Sequence, residues 1–103
     1  MSVVVVATIV PKPEHRAEVI AIFEGVIARV HAEDAGCELY ALHEGADRLV
    51  MVEKWADQAA LDTHSVGAAL RDAGPALAGK VVGPTDVQVL TPHPAGTAEQ
   101  GLV

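Results

Sequence analysis

The spacing of apolar residues changes several times along the chain, and each change marks an element. Val3-Val4-Val5-Val6-Ala7-Thr8-Ile9-Val10 is β-branched almost throughout, which disfavours helix and suits a strand. The run does not alternate, so it predicts a strand buried on both faces. Pro11 and Pro13 end it, and Pro13 suits the first turn of a helix. From Glu14 to about Ala32 the period becomes helical. Val19, Ile22, Phe23, Val26, Ile27 and Val30 recur every three or four residues, with Glu18, Glu24 and Arg29 on the wet side. Asp34-Ala35-Gly36 reads as the exit turn.

Cys37 to Glu44 alternates: Cys37, Leu39, Ala41 and His43 fall on one side, Glu38, Tyr40, Leu42 and Glu44 on the other. Gly45-Ala46-Asp47 signals a hairpin. Arg48 to Trp55 forms the third strand, with Leu49-Val50-Met51-Val52 apolar on both faces. Asp57 is a natural N-cap for a short helix from Gln58 to about His64. Gly67 to Leu77 reads as a second helical piece interrupted near Gly74-Pro75. Thr85 to Leu90 is the fourth strand. Residues 1–91 thus make one domain, and residues 92–103, rich in Pro, Gly and Ala, read as a mobile tail or an exchanged arm.

The order β-α-β-β-α-β is the split unit of ferredoxin-like α+β folds: an antiparallel four-stranded sheet with its helices on one face. That topology puts the first and third strands in the centre, and these are the two with the longest apolar runs, while the second and fourth carry more polar residues. The face without helices is also apolar, through Val50 and Val52. A soluble monomer rarely exposes such a surface. The pattern therefore predicts a homodimer whose sheets pack face to face in a closed or nearly closed barrel.

Composition narrows the function. With 103 residues there is room for one core. Fourteen acidic side chains against seven Lys and Arg give a formal charge of −7, which repels phosphate backbones and anionic lipid. Nucleic acid and membranes are therefore not expected partners. The single Cys37 makes neither an internal disulfide nor a thiolate cluster. The apolar start is shorter than the roughly 20 residues that span a bilayer. A soluble cytoplasmic protein is the expectation. No His-x-x-x-His, glycine-rich phosphate loop or Gly-x-Ser-x-Gly elbow occurs, so no metal site, dinucleotide cradle or serine nucleophile is expected.

Only three residues are aromatic: Phe23, Tyr40 and Trp55. If the hairpin loop has an even number of residues, Tyr40 and Leu42 share a face with Met51, Glu53 and Trp55. His64, about two turns into the short helix, can return to the same strand end. A phenol, a carboxylate, an indole wall and an imidazole would then form a small pocket for a flat organic molecule. Each also has a purely structural reading. Trp55 can be core filler, Glu53 can pair with a basic residue, Tyr40 can pack with its hydroxyl wet, and His64 can favour a helix C-terminus.

Gly36-Cys37-x-x-Tyr40-x-Leu42, then Glu53-x-Trp55 and Ala60-Leu61-x-x-His64, resembles the antibiotic biosynthesis monooxygenase family over roughly residues 3–90. The resemblance implies a dimeric α+β barrel. It also implies a pocket between sheet and helices, with Trp55 near it and His64 as the motif's histidine. Relatives include small oxygenases that oxidise polycyclic phenols or quinols without metal, flavin or other cofactor. The implied function is a cofactor-independent monooxygenase acting on a small quinol or phenolic aromatic with molecular oxygen. His64 would be the base, and Glu53 would orient it or act as the base itself. Trp55 and Tyr40 would bind substrate. Two other readings of the scaffold are an isomerase of a small oxygenated metabolite and a non-catalytic small-molecule-binding dimer. The family's haem-degrading branch uses a strand asparagine and a later helix histidine. Those places fall near Ala7 and Gly74, so haem degradation is disfavoured; the polyketide oxygenases' assisting asparagine has no counterpart either, because the chain contains none.

Overall fold

A computed structural model describes residues 2–103. Strand β1, Val3–Ile9, leads through a single 3-10 turn at Pro13–His15 into helix α1, Arg16–Glu33. The hairpin follows as β2, Cys37–Glu44, and β3, Leu49–Trp55. Helices α2, Gln58–Ser65, and α3, Ala68–Leu77, precede β4, Asp86–Leu90, and one late turn, α4, Ala98–Gly101. The sheet order is β2-β3-β1-β4, antiparallel throughout. Strands β1 and β3, which carry the longest apolar runs, are central, because only central strands lose solvent along both edges.

One face of this sheet carries the core. Along β3 burial alternates strictly, with Leu49, Met51, Glu53 and Trp55 buried and Val50, Val52 and Lys54 half-buried. Val5, Ala7 and Ile9 of β1 continue that face, and Val19, Phe23, Val26 and Val30 of α1 pack over it. The expectation that β1 is buried on both faces holds for one of them. On the other, Val4 is buried and Val6 and Thr8 are only half-buried. Strand β4 is exposed along its length, leaving Val87, Val89 and Leu90 with about half their surface open.

Two local expectations are corrected. Helix α3 runs unbroken through Gly74 and Pro75. Pro75 stands in its last turn, where the missing N–H costs one bond and the fixed φ already suits a helix. The small Ala69 and Ala73 form its buried side. The second correction concerns Cys37, which pairs with Trp55 while Leu39 pairs with Lys54, so the strand slips by one residue between them. This bulge places Cys37 on the helix side of the sheet, against the core, rather than on the side of Leu39.

Among the described residues no helix is long and apolar enough to cross a membrane.

Candidate active site

Four residues between β2 and β3 bring Glu44 opposite Leu49, an even count. Tyr40 therefore pairs with Glu53 and Leu42 with Met51, all turned toward the helices. Helix α2 starts beyond β3 on the Asp57 cap, whose carboxylate accepts from the Ala60 amide at 2.8 Å. Two turns later it delivers His64 over the same strand end. A cavity of about 290 Å³ lies between the sheet and the three helices. Tyr40, Glu53 and His64 are on its wall, and the rest of the lining is mostly aliphatic, including Val5, Met51, Leu61 and Leu70. Thr85 and Val87, both exposed and at the uncovered β4, also line the cavity.

Trp55 is not on that wall. It is fully buried, and its indole N–H donates to Glu53 Oε1 at 3.0 Å. Its ring lies 4.3 Å from the His64 ring at 30°, close to stacked. Tyr40 meets His64 edge-on at 5.3 Å and Trp55 at 6.2 Å. The four residues singled out by sequence thus form one cluster, with three facing the cavity and the indole supporting two of them from behind.

Burial sets the protonation of this cluster. With little water around it, the Glu53 carboxyl is pushed from its ordinary 4.5 up to about 7, although the Trp55 N–H pulls the other way. Burial also raises the Tyr40 phenol, helped by the nearby Glu53, Cys37 and Asp34. Tyr40 is therefore a neutral hydrogen-bonding group at the cavity rather than a phenolate. Glu53 exchanges a proton near neutrality.

The sequence reading missed Asp34, which it had assigned only to a turn. Its carboxylate Oδ2 lies 2.7 Å from His64 Nδ1, with the imidazole almost wholly buried. The signal was topological. Cys37 pairs with Trp55, so the turn before β2 and the helix after β3 meet at one end of the sheet. The remaining histidines lie elsewhere: His15 pairs with Glu18, His31 bonds the Tyr40 carbonyl, His43 bonds the Ala41 carbonyl, and His93 follows β4. Among the described residues no group of three or more His, Cys, Asp or Glu side chains is placed to hold a metal ion.

Comparison with known proteins agrees with this architecture. The family model described as antibiotic biosynthesis monooxygenase matches residues 2–75. A Mycobacterium tuberculosis protein named "Putative monooxygenase Rv0793" is 39% identical over 64 residues, 60% of this chain. That match spans 62% of the relative's own length. The structure of Rv0793 superimposes with a TM-score of 0.85 at 26% identity, over 94% of this chain and 100% of that one. A Caulobacter crescentus structure, described as an antibiotic biosynthesis monooxygenase of putative assignment, gives a TM-score of 0.82 at 27% identity. It covers 86% of this chain and 87% of its own.

Proposed function

This chain belongs to the antibiotic biosynthesis monooxygenase family, and from that premise we propose that it oxidises a small quinol or phenolic aromatic with molecular oxygen, without a cofactor. The observation that carries the reading is that Tyr40, Glu53 and His64 open onto one otherwise mostly aliphatic cavity. Its 290 Å³ sits at the lower end of small-molecule sites, which run from about 300 to 1,000 Å³. A substrate of one or two rings fits that size better than a large polycycle.

The chemistry follows from what such a substrate can supply. His64 takes the phenolic proton, leaving the bonding pair on oxygen. The phenolate gives one electron to O2, and the resulting radical and superoxide combine at a ring carbon as a peroxide. Glu53, which holds its proton up to about pH 7, gives it to the distal oxygen as the O–O bond breaks. The Glu53 carboxylate takes the remaining hydrogen of that carbon as a proton, the C–H pair forming the new carbonyl, and the proton held by His64 completes the departing hydroxide as water. The balance is SH2 + O2 → SO + H2O, with every electron drawn from the substrate. The aliphatic wall keeps water from competing for the proton and the peroxide. Tyr40 hydrogen-bonds the substrate's second oxygen, and Trp55 holds Glu53 and His64 in place.

The reading includes a homodimer and a reducing, cytoplasmic setting for the free Cys37. Supporting the dimer, Val6, Val50 and Val52 are only half-covered on the open sheet face, and β4 is bare. Oxygen uptake with dihydroxynaphthalene-type quinols, run under 18O2, tests the activity. One labelled atom should enter the product for each O2 consumed. Turnover without oxygen uptake would indicate an isomerase, and binding without turnover a carrier; either overturns the reading.

A further inference from the structure

We infer that Asp34 is a positioning residue that fixes His64 as its Nδ1–H tautomer, so that an unprotonated Nε2 faces the cavity. The inference rests on the reading of His64 as base and adds how that base is prepared. A neutral imidazole has one N–H and one lone pair, and the partner of one nitrogen decides which is which. The partner at Nδ1 is the Asp34 carboxylate at 2.7 Å. An ionised carboxylate can only accept, so the ring proton must sit on Nδ1. The His64 ring's hydrogen bond among the described residues is at Nδ1; Nε2 is not a sealed, unpartnered atom, and His64 lies on the cavity wall. The lone pair is thereby directed at whatever the cavity holds. When Nε2 gains a proton, the same carboxylate stabilises the imidazolium.

The surrounding backbone is built to keep this pairing. Asp34 closes α1, with its N–H donating to the Val30 carbonyl and its own carbonyl accepting from Cys37 N, each at 3.0 Å. Two residues on, the Gly36 carbonyl accepts from Ala56 N at 2.9 Å, tying the turn to the start of the α2 connection. Gly36 also lies so close to α2 that a Cβ there would collide with the Ala60 Cβ. The turn that carries Asp34 and the helix that carries His64 are thus locked together at both ends. The other ionisable groups of the cluster, Cys37 and Tyr40 from β2 and Glu53 from β3, make no hydrogen bond to the His64 ring among the described contacts. Asp34 alone determines the tautomer.

Long-range 1H–15N spectra of the histidine rings in the intact protein, recorded at pH 8 without substrate, read this directly. Wild-type His64 should show a protonated Nδ1 and a bare Nε2. Asp34→Ala should return the ring to the Nε2–H form that free imidazole side chains favour, whereas Asp34→Glu should retain Nδ1–H. Oxygen uptake should fall about 100-fold in Asp34→Ala with KM changed less than about threefold, as expected when a base is misdirected rather than a pocket lost. A wild-type ring with its proton on Nε2 overturns the inference even if Asp34→Ala does not fold, and so does an Asp34→Ala ring that keeps Nδ1–H. Because the spectra need no turnover, they separate failure of this pairing from failure of the proposed activity, which His64→Ala tests.

Discussion

The Trp55 indole N–H donates to the Glu53 carboxylate two positions back along β3, at 3.0 Å, so the tryptophan supports the cavity from behind instead of lining it. Residues i and i+2 of a strand share a face, and here that geometry gives a buried carboxyl its one strong donor. Trp55→Phe keeps most of the packing and removes the donor. The Glu53 pKa should then climb above its present value of about 7, since the N–H is what opposes the effect of burial. Carboxyl 13C titration checks the direction, and a drop in stability of about 1–3 kcal/mol should accompany it from the lost bond and volume.

Glu53 also makes stability depend on pH in a defined window. Its pKa rises on folding from 4.5 to about 7. Below 4.5 it is protonated in both states, and burial carries no charge penalty. Between 4.5 and 7 the unfolded chain releases the proton while the folded one keeps it, so stability falls as pH rises. Above 7 both are ionised and the penalty is constant. Glu53→Gln removes this dependence. Relative to wild type it should gain about 2–3 kcal/mol between pH 5 and pH 8, read from urea midpoints at each pH. Parallel pH profiles for the two proteins would contradict the burial argument.

The open sheet face supports a prediction about assembly. Val52 sits in a central strand between Val6 and Ala41 and is half-buried in the single chain. In a face-to-face dimer it would be fully covered. Val52→Lys would then bury a charge without a partner and should weaken association by about 100-fold or more. Sedimentation at micromolar concentration should give a dimer for wild type and a monomer for the variant. A wild-type monomer would sink the proposed dimer.

Much of this arrangement was legible in the sequence because it depends on period and parity. Unbroken apolar runs identified β1 and β3 as central. An even hairpin placed Tyr40, Glu53 and Trp55 on one face, and the Asp57 cap with two helical turns put His64 above them. What was not legible depends on local slips and on contacts distant in sequence. The bulge that turns Cys37 toward the core leaves the alternation around it unchanged. Asp34 and His64 are thirty residues apart and meet only because the ends of β2 and β3 are paired. The direction of the Trp55 ring is fixed by a side-chain bond that no pattern of apolar positions records.

The central claim is that His64 is the base of an oxygen-consuming reaction in this cavity. Initial rates of oxygen uptake with a dihydroxynaphthalene-type quinol, compared for wild type and His64→Ala from pH 6 to 9, test it most directly. Wild type should consume oxygen, and the variant should be slower by about 100-fold or more with its fold intact. A His64→Ala protein that matches the wild-type rate across that range would contradict the account.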